Sequence, residues 1–345
     1  MAAANIISVI GTAVSVLSIL LDNIPSDNSK VKVSYYIAND GGSHDTSNAG
    51  GDLPDVRHWD ETGQFIGATY DPGYCNEGAT DCSTDVSTNQ GATYTLFTGN
   101  TDAICIAWTS VAWAGGHTKF GFHPGNWAYA CDTTPYNNGY WYYANQVVPG
   151  IDYEEDVYCA WVDKNGDIPT TGFQVHWPEM DRDKSDMKEL NYYCREDPPM
   201  YFHEDYDPSD VYYWVRSFQS ANPSSAKSPA TMRPSSKRQS SAEKGRRAAN
   251  AFANDTRLIK SYYAKHTASK LCDRSMNAAG QSFVSYTESK FCYMPTKTLY
   301  SFCSEVDTGA CWDDENNKVV VKGAKFKTSV PDMSHIKETI VWGKE

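Results

Sequence analysis

The sequence predicts a mainly β protein: a β-sandwich or jelly-roll-like body, preceded by an amino-terminal helix and followed by a small, disulfide-bonded α+β tail domain. Three observations lead there. Aromatic residues are 13% of the 345, led by 23 Tyr and 10 Trp, types that suit a pleated, half-buried surface. From Lys32 onward, short apolar runs alternate with clusters of Gly, Asn and Asp, the punctuation of strands and turns. Ten cysteines with no C-x-x-C pair fall into six and four on either side of a Ser/Pro-rich segment, which points to disulfides within each half rather than zinc or redox motifs. At 40% hydrophobic, the chain can bury a large core.

Residues 1–30 form the first unit. In Asn5 to Leu21, "NIISVIGTAVSVLSILL", the residues Ser8, Gly11, Thr12, Ser15, Ser18 and the following Asp22 share one narrow helical stripe, with Ile, Val and Leu over the rest. No Lys or Arg precedes this run and no small-residue cleavage site follows it, so it reads poorly as a secretory leader. A helix packed on the body is expected, against two alternatives: a leader, uncleaved or trimmed, and membrane contact through residues 5–21.

Residues 31–218 form the body. Its expected strands lie in "KVSYYIA", "RHWDETGQFIGATY", "YTLF", "AICIAWTSVAW", "KFGF", "WYYANQVV", "VYCAWV" and "GFQVHW". Alternation puts Phe173, Val175 and Trp177 on one face with Gln174 and His176 on the other, and aligns Val157, Cys159 and Trp161. Asn165-Gly166 signals a hairpin turn. Asp163, Asn165 and Asp167 around it suit a turn better than a calcium loop, because the glycine is misplaced for one. Residues 219–241, rich in Ser, Pro and Ala, read as a linker. Residues 242–345 form the tail, in which Phe252, Ile259, Tyr263 and His266 stand at helical spacing before strands such as "KVVVKG" and "TIVWG".

Net charge is −13, unevenly placed: residues 218–345 hold 20 Lys/Arg against 12 Asp/Glu, and residues 1–217 hold 10 against 31. The acidic body would repel phosphates, and the basic linker lacks interleaved aromatics, so nucleic acid is not an expected partner. The cysteines expected to pair are Cys75, Cys82, Cys105, Cys131, Cys159 and Cys194 in the body, with Cys75 and Cys82 as a local bridge, and Cys272, Cys292, Cys303 and Cys311 in the tail. Such pairing implies an oxidising compartment. Asn254 heads the single N-glycosylation sequon.

The blocks "DAICIAWTSVAW", "YCAWVDKNGD", "TGFQVHWPEM" and "SFVSYTESKFCYMPTKTLYSFC" resemble a group of secreted proteins of filamentous fungi without an established function. The resemblance implies a secreted, extracellular or cell-wall associated setting and no particular activity. It also implies passage through a pathway whose processing protease cuts after dibasic pairs. Lys237-Arg238 and Arg246-Arg247, in "SSKRQSSAEKGRR", resemble such maturation sites; a solvated linker's charge is the alternative.

No hydrolase serine elbow, zinc-protease motif, phosphate loop or dinucleotide fingerprint occurs, and "FHEDYD" has a His203-Glu204 pair without the second histidine a zinc site needs. Neither cofactor nor metal is expected. For glycoside hydrolysis two opposed carboxylates are required, and Glu154, Glu155, Glu179 and Asp181 are candidates on loops flanking neighbouring strands. Solvated acidic loops explain the same residues without chemistry, and that is the favoured reading of them. Tyr140, Trp141, Tyr142 and Tyr143 place rings on both faces of one strand, so one face is expected to be surplus to the core and to offer a platform for sugars or a protein, unless a second layer covers it. The reading that follows is a secreted, disulfide-stabilised, non-catalytic protein that binds a glycan or a cell-surface partner. The alternatives are a polysaccharide-cleaving hydrolase and a membrane-active, toxin-like protein.

Overall fold

The computed structural model describes residues 28–39, 49–132, 139–146, 157–166, 168–180, 190–196, 198–212, 252, 255–323 and 329–343. The expected helix over 5–21, the linker 219–241, Glu154, Glu155, Asp167, Asp181, Lys237, Arg238, Arg246, Arg247 and Asn254 lie outside the described residues.

The protein is mainly β. Its body contributes β1 (Lys30–Ile37), β2 (Gly51–Asp52), β3 (Asp55–Trp59), β4 (Phe65–Thr69), β5 (Tyr74–Cys75), β6 (Cys82–Ser87), β7 (Tyr94–Thr98), β8 (Ile104–Ala112), β9 (Lys119–Phe122), β10 (Trp141–Tyr143), β11 (Tyr158–Val162), β12 (Gly172–His176) and β13 (Met200–His203). One antiparallel sheet runs β10-β11-β8-β1-β6, with β9 also on β8; a second runs β13-β12-β7-β3-β4. In β1 every second residue from Val31 to Ile37 is buried, and Tyr35 of that face meets Phe97 of the second sheet at 6.2 Å between ring centroids. The main core lies between these faces. A helix, α1 (Pro124–Cys131), packs on β11 at Gly125, where an added Cβ would stand 2.3 Å from the Tyr158 carbonyl.

Residues 163–166 and 168–171 belong to the turn that Asn165-Gly166 announces, with Gly166 at φ 92. It is not a hairpin. It carries the chain from β11 in one sheet to β12 in the other. Asp163 is buried, and its carboxylate accepts hydrogen bonds from the backbone N–H groups of Asn165, Gly166 and Ile168, which secures the turn.

The tail contributes β14 (Arg257–Ser261), the short helix α2 (Ala268–Cys272), β15 (Ser282–Ser285), β16 (Lys290–Tyr293), β17 (Thr298–Ser301), β18 (Gly309–Asp313), β19 (Lys318–Lys322) and β20 (Glu338–Trp342). Its main sheet runs β17-β16-β15-β14-β20, with β14 parallel to both neighbours, and β18-β19 is a hairpin. The helical spacing of Ile259 and Tyr263 is therefore overturned: residues 257–261 are the sheet's penultimate strand. Leu258 and Ile259 are both fully buried, one on each face, and a run buried on both sides carries no period of two to oppose a helical reading.

All ten cysteines pair within their halves: Cys75–Cys82, Cys105–Cys159, Cys131–Cys194, Cys272–Cys292 and Cys303–Cys311. No disulfide joins body to tail. The two instead share one hydrophobic core, in which Ile259, Phe283 and Trp342 of the tail join Tyr142, Tyr143 and Trp161 of the body. Segment 277–281 lies along β10 and β11. The Trp161 indole donates to the Ala279 carbonyl at 2.9 Å, the Tyr142 hydroxyl donates to the Gln281 carbonyl at 3.0 Å, and Ala279 N–H donates to the Trp141 carbonyl at 3.0 Å. Lys270, on α2, donates to the Tyr158 hydroxyl at 2.7 Å, with its ammonium 5.0, 5.4 and 5.9 Å from the ring centroids of Tyr129, Tyr158 and Tyr143.

Candidate binding surface

That junction consumes the aromatic run. Tyr140, Trp141, Tyr142 and Tyr143 are exposed by 2% or less, so the platform expected there is core. β10 is the edge of its sheet, and the tail covers it on the side the sequence leaves open. Of the four carboxylates suggested for glycoside chemistry, Glu179 alone is among the described residues, in the half-buried 3-10 turn Trp177–Met180 after β12.

Exposed rings stand elsewhere. Tyr70, Tyr74 and Tyr206 are 56%, 51% and 78% exposed, far beyond any other described tyrosine of the body. Two flank the turn "YDPGY" after β4, where Asp71 and Gly73 have φ 45 and 110; only glycine adopts the latter without strain. Asp71 N–H donates to the Asp55 carboxylate, which fixes this turn to β3. The third ring belongs to a strap, residues 204–212, that crosses the outer face of the second sheet. Pro208 supplies a carbonyl to the Thr98 hydroxyl at 2.8 Å, the Thr171 hydroxyl donates to the Asp205 carbonyl at 2.6 Å, and the Gln174 side-chain amide pairs with both backbone groups of Tyr212, at 2.6 and 2.7 Å. Val211 closes a small apolar cluster with Trp59, Tyr94 and Leu96 beneath it.

Arg57 joins turn to strap. Only 8% exposed, it donates to the Thr98 hydroxyl at 2.7 Å, faces Asp55 and Asp207 at 3.6 and 3.9 Å, and lies 4.9 Å under the Tyr70 ring. Its charge is thereby compensated, so the surface offers rings and carboxylates rather than a free cation. Lys164, at 4.0 Å from Asp207, is similarly engaged. Arg57 thus ties the turn that carries Tyr70 to the strap that carries Tyr206. No group of three or more His, Cys, Asp or Glu among the described residues is arranged to hold a metal ion. These tyrosines lack a sequence pattern because none lies in an alternating apolar run: Tyr70 follows β4, Tyr74 opens the two-residue β5 and Tyr206 lies in the strap. The available signal was an aromatic flanked by Asp, Pro and Gly, which has no reason to be buried.

Other polar pairs are structural. His203 donates to the Gln174 side chain at 3.1 Å from within the second sheet, and Ser261 and His266 hydrogen-bond at 3.0 Å in the tail core, where Ser261 has no exposure to a substrate. Burial lowers His58 to about 3 and His123 and His203 to about 4, from an ordinary 6.5, while burial raises Asp132 from 3.8 to about 6. The signs oppose. The unfolded chain protonates the three histidines near pH 6.5 and the folded protein does not, so stability falls as pH drops from 6.5 toward 4. Asp132 binds its proton earlier when folded, so its contribution is full below 3.8 and is lost as pH rises through 6. Denaturant unfolding at pH 7 and pH 5 is expected to show lower stability at pH 5, and Asp132→Asn is expected to deepen that acid loss by removing the opposing contribution. An acid dependence unchanged in the variant would refute the assignment.

No family model, no curated protein and no solved structure matches this chain.

Proposed function

We propose that this is a secreted, disulfide-stabilised, non-catalytic protein that binds carbohydrate through the ledge of Tyr70, Tyr74 and Tyr206. One observation carries the reading: three tyrosine rings stand half or more in solvent on backbone that Arg57, Asp55 and Gln174 hold in place. Exposed rings on a prearranged surface suit the apolar faces of sugar rings, and the carboxylates and carbonyls around them suit hydroxyl groups. Five disulfides support an extracellular setting, and among the described residues no helix is long and apolar enough to cross a membrane. In this reading the two facing antiparallel sheets form a sandwich-like body, the tail is a bolted-on support for β10, and the linker is cut at Arg238 or Arg247 during maturation.

A glycan array with the intact protein tests the ledge. The expected result is selective binding that falls tenfold or more, about 1.4 kcal/mol, in a Tyr70→Ala/Tyr206→Ala double variant with unchanged thermal stability. Binding that survives in that variant removes the ledge from the reading. Release of reducing sugar from a bound polysaccharide would replace it with the hydrolase.

A further inference from the structure

The face of the first sheet turned away from its core contains a buried tryptophan that the described layers do not account for. On β1, Val31, Val33, Tyr35 and Ile37 point into the core, and Lys32, Ser34 and Tyr36 point the other way. The register pairs these three with Ala112, Ser110 and Trp108 of β8, so all six share the outer face. Trp108 is 2% exposed, Ser110 fully buried and Ala112 1% exposed. Trp108 nevertheless joins none of the three hydrophobic clusters of the described residues, and Tyr36 is its one described ring neighbour, at 4.9 Å. Among the described residues, neither the Trp108 indole N–H nor the Ser110 hydroxyl has a hydrogen-bond partner. The second sheet covers the opposite face, through Tyr35 and Phe97, and the tail covers β10 and β11 at the far edge.

We propose that this outer face, centred on Trp108, is the docking surface for the chain's own amino-terminal segment, Asn5 to Leu21. The segment precedes β1 directly, reaching it through eight residues, 22–29. Its 16 residues from Ile6 to Leu21 measure about 24 Å as a helix, against about 26 Å for the eight residues of β1, so one can lie along the other. Ile6, Ile10 and Leu17 are at the centre of its apolar side, and no ionisable group occurs between Asn5 and Leu21, which suits a face of Trp, Tyr, Ser and Ala. Seating it there hides a segment that would otherwise be free for a membrane or a second copy. The face is an internal interface, separate from the tyrosine ledge.

Hydroxyl-radical footprinting read by mass spectrometry tests this in the full chain. Trp108 should be protected in the intact protein, and it should lose that protection in an Ile10→Asp/Leu17→Asp variant and in a chain beginning at Ser26. Trp177, fully buried in the body's core, and Trp312, fully buried in the tail, should stay protected in all three and report that both parts of the fold persist. A synthetic peptide of residues 1–25 should restore protection of Trp108 to the shortened chain. Protection of Trp108 unchanged in the shortened chain overturns the proposal, as does a labelled Trp108 in the intact protein. Should that negative result coincide with liposome leakage by the full chain but not the shortened one, the segment's partner is a membrane. If either altered chain also exposes Trp177 or Trp312, the other decides.

Discussion

Replacing Trp161 with alanine is expected to destabilise the whole protein by about 3 to 5 kcal/mol, the range for removing a large buried aromatic side chain. Trp161 is 3% exposed on β11, packs on Phe252 at 5.3 Å between ring centroids, and donates to the Ala279 carbonyl. The variant loses the ring's buried contacts, opens a cavity where body and tail meet, and leaves the Ala279 carbonyl, on a residue 1% exposed, without its donor. A domain's net stability is only about 5 to 15 kcal/mol, so the melting temperature should fall on the order of 10 °C. Trp161→Phe separates the contributions, since it restores much of the volume and none of the hydrogen bond. Gly280→Ala should act at the same place by the opposite route: its Cβ would stand 2.3 Å from the Tyr142 ring, so overpacking rather than a cavity displaces segment 277–281. Near-native melting of both Trp161→Ala and Gly280→Ala in scanning calorimetry would show that body and tail do not depend on this contact.

How much of this was legible in the chain depends on what lay across each strand. β1 reads cleanly because one face is buried and the other half-open, so its side chains alternate. β12 keeps its alternation for a different reason: Phe173 and Val175 face the core, while Gln174 meets the strap's Tyr212 backbone and His176 the Glu61 carboxylate. β14 is buried on both sides and carries no period of two, so nothing in its pattern opposes a helical spacing. Disulfide grouping was readable because parity survives any fold that keeps the halves separate. The aromatic run at 140–143 misled because exposure is a property of the neighbour, and its neighbour lies some 135 residues later, at 277–281. The exposed tyrosines escaped for the converse reason: the turn of Tyr70 and the strap of Tyr206 are joined through Arg57, whose partners on β3, β7 and the strap no local pattern announces.

Cleavage in the linker is expected to leave a nicked protein that runs as two bands on a denaturing gel without reductant, yet elutes as one species in gel filtration. The first half follows from the disulfides, all of which close within residues 75–194 or 272–311, so that nothing covalent survives a cut after Arg238 or Arg247. The second half follows from the junction. Charge alone would hold poorly, because the acidic body and basic tail attract across only about 8 Å at physiological salt. What remains is the shared core with Tyr142, Tyr143 and Trp161, the backbone bridge between Trp141 and Ala278, and Lys270 seated among three tyrosines. Raising the salt concentration should therefore leave the nicked species intact, while Trp161→Ala in the same nicked protein should let the two chains separate at concentrations where the parent does not. A nicked parent that dissociates at low salt would mean that body and tail merely touch. Separation only at high salt would return the junction to electrostatics.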